Sequence, residues 1–427
     1  MRISTVTMFE QSTASMNRQQ SDLMRVSQQI ASGRRVVNPS DDPQAASRAV
    51  GVDQSLAINE QYTDARTSAR NSLAQTESII NSVSDAITKA KTLLIQASSD
   101  TLSDVDRESI ASELKGVYET LLGQANATDG NGRYLFGGYK DNAPPFVKDA
   151  DGNVQYQGDS NAREQRVDAS RLMPVAENGE TIFKSVPSGA GYVAESVKTD
   201  DSGERLIGEN GRNDGSVTFV GPQITNVNAE GYGDSYRIVF AENTAVDAES
   251  EFVFQVQRFE DGGWLDDVAG EYTGDGQQLS FGGVTITLQG EPAVEDQILL
   301  AKSGSDQREP DLFRTMEAAI RVLEFPADDP AKKAELRNTL NTSMRDLDNA
   351  FDNALTVRAS AGARLNELDV IDAVGSNRKI NYTQTLSDLV DLDYAEAISE
   401  YSLRQVGLQA AQKAFVDIKG LSLFNYM

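Results

Sequence analysis

Three pairs of adjacent acidic residues are the candidates for chemistry in this sequence: Asp200-Asp201, Asp266-Asp267 and Asp328-Asp329. A glycosidase places two carboxylates around one bond, but neighbours in a strand point to opposite faces. The chain has no His and no Cys, which excludes Ser-His-Asp triads, thiol nucleophiles and the common zinc sites. We therefore interpret the acids as solvated side chains and predict no catalytic residue, no cofactor and no metal site.

Two further segments partly match known motifs, one for a calcium loop and one for dinucleotide binding. Residues 149–153 read Asp-Ala-Asp-Gly-Asn, but Gly stands at position 4 of this possible calcium loop, and Ser160 stands at position 12. The run predicts a turn. Gly231 and Gly233 lack the third Gly and the strand-to-helix context of a dinucleotide fingerprint.

The elements that would position such residues divide the chain into three parts. Residues 1–139 and 310–427 show the spacing of amphipathic helices, whereas residues 140–309 show short half-buried strands between Gly and Asn turns. Helical ends far apart in sequence bury their apolar stripes against each other. The predicted fold is mainly α with a β insert: the long N- and C-terminal helices form an antiparallel coiled-coil-like bundle, and an antiparallel β domain is inserted in the middle.

Charge is concentrated in the middle part. Residues 140–309 hold 13 basic and 31 acidic residues, so −18 of the net −26 lies there. Such an insert is solvated and repelled by nucleic acid. No apolar stretch is long enough to span a membrane, and the first 20 residues lack a secretory signal. We expect neither a nucleic-acid nor a membrane partner.

The chain ends carry narrow apolar stripes. Phe9, Met16, Leu23, Ile30 and Val37 recur every seven residues among mostly polar neighbours. Such a segment folds when a partner supplies the other side, although a simple docked helix is the alternative. The predicted assembly interface also includes the following C-terminal residues: Val390, Tyr394, Tyr401, Leu408, Phe415 and Ile418.

Helix starts are marked by local signals. Asp42 is placed to accept free amide hydrogens as N-cap, and Pro43 suits the first helical position. A helix of about 55 residues should follow, roughly 80 Å long. After a break near residues 98–103, Ser103 and Asp106 form a capping signature that starts a shorter helix.

Several of these residues carry a resemblance to the flagellin superfamily. The matching places are MRIST at residues 1–5, Ser-Gly-Arg at 32–34 leading to Asn-Pro-Ser-Asp-Asp-Pro at 38–43, Tyr-Leu-Phe-Gly-Gly at 134–138 followed by Pro-Phe at 145–146, Leu-Ser-Leu-Phe-Asn-Tyr-Met at 421–427, and, more weakly, residues 358–365. Pro43 stands where filament flagellins typically have Ala. That residue favours the junction proteins of the superfamily.

The resemblance implies a structural protein of the bacterial flagellum, forming the junction layer between hook and filament on which flagellin polymerises. The alternatives are a minor filament flagellin, or a junction protein whose β insert also binds a surface glycan. The implied domains are a terminal helical assembly segment, 1–42 and 380–427, disordered in the monomer; a helical rod, 43–139 and 310–379; and an acidic outer β domain, 140–309.

Partners and location follow from the same resemblance. The implied partners are other copies in a helical layer, the adjacent hook-associated junction protein on the hook side, flagellin on the filament side, and a cytoplasmic export chaperone. The chaperone is expected to cover the tail stripe, defined as Leu408, Ala411, Phe415 and Ile418. The implied location is the extracellular flagellum, reached through the flagellar secretion apparatus without a cleaved signal peptide.

Overall fold

The computed structural model describes residues 5–150, 152–206, 208–245 and 250–424, without the side chains of residues 5, 6, 8, 209 and 418–424. The chain forms two compact units. The first comprises Met1–Arg66, Val167–Ser170 and Asp369–Met427, and the second comprises Thr67–Arg166 and Arg171–Leu368. The domain boundaries expected from the sequence stay a prediction.

The described helices are long at both chain ends and short in the middle. They are α1 (Thr5–Ser32), α2 (Pro43–Ala97), α3 (Asp104–Ala125), α4 (Gly179–Phe183), α5 (Leu312–Glu324), α6 (Pro330–Val390) and α7 (Tyr394–Phe424), with a 3-10 turn at Gly208–Gly211. Within the described part of the chain, none of them combines the length and apolar composition needed to cross a bilayer.

In the first unit, α1 and α7 run antiparallel. The Phe9 and Phe415 rings lie 5.2 Å apart between centroids. Further along α1, Asp22 pairs with Arg404, which comes earlier in α7, at 3.1 Å. Residue numbers therefore rise along one helix as they fall along the other, which confirms the predicted antiparallel pairing of the chain ends.

In the second unit, α2 and α6 are also antiparallel. Arg358 Nε donates to Glu77 at 2.7 Å, and Lys91, later in α2, pairs with Asp348, earlier in α6. One apolar core joins α2, α3, α5 and α6. Its fully buried members include Ile80, Ile87, Leu94, Leu114, Leu121, Met316, Leu340 and Leu347. Each such side chain contributes roughly 1.5–3 kcal/mol by leaving water.

The start of α3 follows the predicted capping signature. The Ser103 hydroxyl accepts the Asp106 amide at 3.3 Å, and the Asp106 carboxylate accepts the Ser103 amide at 3.2 Å. The two residues thus satisfy each other's backbone donors. The prediction of a helix starting here is confirmed.

The strands lie between α3 and α5. They are β1 (Phe146–Lys148), β2 (Val154–Tyr156), β3 (Arg163–Asp168), β4 (Arg171–Ala176), β5 (Tyr192–Glu195), β6 (Thr218–Ile224), β7 (Tyr236–Glu242), β8 (Phe252–Glu260), β9 (Gly263–Tyr272), β10 (Gln277–Phe281), β11 (Val284–Gln289) and β12 (Gln297–Lys302). One sheet has the order β5-β12-β7-β8-β9, another has the order β10-β11-β6, and β1-β2 and β3-β4 form hairpins. The described strand pairs are antiparallel, as predicted.

The two larger sheets share one apolar core, built from alternate residues of their strands. Ile238 of β7 and Ile286 of β11 are fully buried in it. Arg237 departs from the expected half-buried pattern, since it is only 9% exposed. The guanidinium carbon of Arg237 lies 4.6 Å from the centroid of the Trp264 ring. Arg237 Nη1 donates a hydrogen bond to the Thr199 carbonyl at 3.3 Å. A stacked arginine therefore extends the buried region beyond the core face.

Candidate functional site

Asp200 and Asp329, from two of the three acidic pairs considered for chemistry, serve local structure. The Asp200 carboxylate accepts the amides of Ser202 and Glu204, both at 2.9 Å, and so holds a turn. Asp329 accepts the Lys332 amide at 2.8 Å at the start of α6. Among the residues that the structure describes, no group of three His, Cys, Asp or Glu side chains is arranged to hold a metal ion.

The N-terminal stripe is unevenly buried. Met16, Leu23 and Ile30 are half-buried, whereas Phe9 is 45% exposed and Val37 is 37% exposed. The Phe9 ring nevertheless contacts the Phe415 ring of α7. Val37 lies beyond the end of α1, in the segment before α2. The role of the stripe in assembly stays a prediction.

Val26 is the deepest residue of α1, at 1% exposure, and the sequence analysis missed it. It lies three positions after Leu23, on the same helical face. Val26 could have been found from spacings of three and four residues along the chain, which mark one face of a helix, rather than from a seven-residue repeat.

The tail stripe also packs inside the chain. Leu408, Ala411 and Phe415 are half-buried on one helical face, as is Tyr401 before them, and the Phe415 ring contacts Phe9 of α1. The side chain of Ile418 lies outside the described residues. Among the described side chains of α7 the deepest is Ala397, which belongs to the same apolar stripe of the C-terminal segment. In the folded chain, the predicted tail residues therefore form an intramolecular contact with α1.

A second apolar face of α7 was missed by the sequence analysis. Ile398, Leu403, Val406 and Val416 are exposed on the part of α7 that does not carry the tail stripe, spread over about 140° of the helix circumference. We call these four residues the outer face. They do not form a stripe at the helical period, so the search for one stripe selected only the inner side. Exposed large apolar side chains are surface that a protein interface would cover.

The loop between α1 and α2 is hydrogen-bonded to the junction between α6 and α7. The Arg35 amide donates to the Val390 carbonyl at 2.7 Å, and the Leu392 amide donates to the Gly33 carbonyl at 3.0 Å. Gly33 has a φ of 69°, and a Cβ there would lie 2.9 Å from the hydroxyl of Tyr394, which is itself 52% exposed. The Ser-Gly-Arg motif therefore places a glycine where both conformation and space demand it.

The start of α2 is held by two aspartates. Asp42 Oδ1 accepts the Ala45 amide at 3.0 Å, and Pro43 is the first helical residue. The Ala45 amide, helped by Arg35, lowers the pKa of the Asp42 carboxyl. Asp41 accepts the Asn38 amide at 2.8 Å and so closes the preceding turn.

Replacing Asp42 tests this arrangement. Asp42→Ala is expected to speed hydrogen exchange at the Ala45 amide severalfold, because the amide loses its acceptor. Mass spectrometry or NMR measures the rate. Asp53→Ala removes an exposed acid further along α2 and serves as the control. Equal exchange in both variants would show that the Asp42 side chain does not hold the first turn.

A buried arginine fixes the part of the first unit where α2, α6 and the β3-β4 turn meet. Arg66 is 1% exposed and forms an ion pair with Asp372. It also donates to the Val167 carbonyl at 3.2 Å and to the Thr63 hydroxyl at 2.9 Å. Gly375 leaves room for the guanidinium, since a Cβ there would lie 2.5 Å from Nη2.

Comparison with known proteins agrees with this geometry. The family described as the bacterial flagellin N-terminal helical region matches residues 3–141. Flagellar hook-associated protein 3 of Escherichia coli (strain K12) is 34% identical over 426 residues, covering 100% of this chain and 99% of the relative. The protein of the same name from Salmonella typhimurium is 31% identical with the same coverage.

A solved structure is also similar. The flagellar junction protein FlgL from Legionella pneumophila has a TM-score of 0.62 and 25% identity. The match covers 81% of this chain and 100% of that one. The structural similarity therefore leaves about a fifth of this chain unmatched.

Proposed function

The chain belongs to the flagellar hook-associated protein 3 family, and we propose that it forms the junction layer between hook and filament in the bacterial flagellum. Copies of the chain make up the layer, the adjacent hook-associated protein lies on its hook side, and flagellin polymerises on its filament side. The role is structural, without catalysis. The observation that carries the proposal is the outer face of α7, which stays free after the chain ends have paired.

The outer face is where a neighbouring subunit binds. The inner side of α7 is occupied by α1 in the same chain, so pairing of the ends leaves Ile398, Leu403, Val406 and Val416 in water. Burying them against another subunit is favourable by about 25 cal/mol for each Å² of apolar surface. Disorder of the ends before assembly, expected from the narrow N-terminal stripe, stays a prediction.

Val406→Asp tests the outer face. Val406 is 63% exposed, so the change should leave the melting temperature of the monomer unchanged. It should weaken assembly at least about tenfold, because a carboxylate buried at an interface without a partner costs several kcal/mol. Gln405→Asp adds the same charge at the neighbouring exposed polar position and is the control. Sedimentation of variants with isolated hooks measures assembly, and equal binding by Val406→Asp would contradict the assignment.

The tail stripe is the proposed site for the export chaperone. Its residues face α1 in the folded chain, so the chaperone would take the place of α1 before secretion through the flagellar apparatus. Phe415→Asp should abolish co-purification with the chaperone, because the ring gives the stripe its largest apolar surface. Val416→Asp changes the next residue, which belongs to the outer face, and is the control. Retention of the chaperone by Phe415→Asp would place its site elsewhere.

Labelling of isolated flagella tests the location. Gold-labelled antibody against residues 140–309 is expected to mark a single band where hook and filament meet. Label along the filament would instead favour the minor flagellin. Absence of label from intact flagella that contain the protein by immunoblot would contradict an exposed β insert.

A further inference from the structure

A cleft in the second unit is not used by the proposed function. It has a volume of about 690 Å³ and lies between the end of β5, the start of α5 and the first half of α6. Small-molecule sites typically have volumes of roughly 300–1,000 Å³. Glu195, Arg205, Arg308, Arg314 and Asp346 are among the residues that line the cleft.

Two of the three arginines are paired with carboxylates. Arg308 is buried and donates to both Asp346 oxygens, at 2.8 and 2.6 Å. Its Nε lies 3.3 Å from Glu195 Oε2, and Arg205 Nη1 donates to the same oxygen at 2.9 Å. The two guanidinium groups and the two carboxylates therefore balance each other in charge. Arg205 forms its pair through Nη1, and among the described residues no hydrogen bond from its Nη2 to a carboxylate is seen.

The third arginine, Arg314, has no carboxylate within ion-pairing distance among the described residues. Its side chain donates to the Glu309 carbonyl at 2.7 Å. The preceding acid, Asp311, is already engaged: Oδ1 accepts the amides of Phe313 and Arg314 at 2.9 and 3.1 Å, and Oδ2 pairs with Lys184 at 3.2 Å. Of these three arginines, Arg314 is therefore the one without a direct ion pair, although the nearby charges of Glu195 and Asp311 favour its protonated form.

The surroundings of Arg314 make this charge costly. The Arg314 side chain has accessible surface, and this surface faces the inside of the cleft, where other protein atoms surround it. Burial lowers the pKa of Arg314, and the nearby charge of Arg205 lowers it further. Arg314 also lies in the first turn of α5, whose amide dipoles add positive potential. The cleft as a whole is balanced in charge, because six basic and six acidic residues line it.

We propose that the cleft binds one small oxyanion, a phosphate or a carboxylate, through the guanidinium of Arg314, with Arg205 as the second donor. Arginine pairs with both anions through parallel N–H donors, and such charge-assisted bonds are stronger than neutral ones. The volume of the cleft leaves room for a larger molecule that carries the anionic group.

Titration of the full chain tests the site. Inorganic phosphate and acetate are titrated separately by calorimetry at constant ionic strength, with chloride as the reference anion. We expect saturable 1:1 binding of at least one oxyanion at millimolar concentration. Arg314→Gln should weaken that binding at least about tenfold through loss of the charged donor. Arg345→Gln removes an exposed arginine of α6 outside the cleft and should change nothing.

The two arms identify the source of the oxyanion. Binding of phosphate alone supports a free phosphate or a phosphorylated ligand, and binding of acetate alone supports a carboxylate ligand. Absence of saturable binding in both arms, an equal response to chloride, or unchanged affinity in Arg314→Gln would overturn the proposal. The melting temperature of each variant shows that it is folded.

Discussion

A strain that lacks this chain is expected to build hooks without filaments and to release flagellin into the medium. Flagellin has no layer on which to polymerise if the junction is missing, so secreted subunits diffuse away. Electron microscopy of isolated hooks and immunoblots of the culture medium measure the two effects. Both should be near complete, because no partial junction can form.

Complementation provides the control for this experiment. The full chain should restore filaments, whereas Val406→Asp should restore them poorly if the outer face of α7 holds the layer together. Filaments of normal length in the deletion strain would contradict the junction role. That result would favour the minor filament flagellin.

Asp372→Asn is expected to produce the largest loss of stability among single substitutions in the first unit. It leaves the guanidinium of Arg66, which is 1% exposed, without its carboxylate partner. Removing one partner of a buried ion pair typically costs about 3–5 kcal/mol. Hydrogen exchange of the first unit measures the change, because it reports that unit separately from the second.

The matched control lies nearby in the same unit. Lys379 pairs with Glu60 at 3.0 Å, and both side chains are more than half exposed. Lys379→Gln should cost less than about 1 kcal/mol, since an exposed pair gains little over water. Equal losses of stability in Asp372→Asn and Lys379→Gln would mean that the burial of Arg66 does not determine how much its ion pair contributes.

The helix starts illustrate what can be predicted from sequence. Asp42 caps α2 through the amide of Ala45, three residues on, and Ser103 caps α3 through Asp106 at the same spacing. All the partners lie within one turn of chain. Such signals depend little on the rest of the fold, so they can be identified without it.

The contact faces illustrate what cannot be predicted. α7 carries exposed apolar residues besides its inner stripe, and composition alone does not say which of them the fold covers. Only the docking of α1 decides that Phe415 faces inward and Val416 outward.

The sequence by itself determined the mainly α fold with its antiparallel β insert, the starts of α2 and α3 and the family, because these depend on composition, on period and on motifs that are local in the chain. The tertiary structure alone decided which groups meet. Arg66 and Asp372 lie 306 positions apart, and Arg314 lacks a carboxylate only because Lys184 engages Asp311. Pairing over such distances depends on how the elements dock, and the spacing of residues along the chain carries no signal for it.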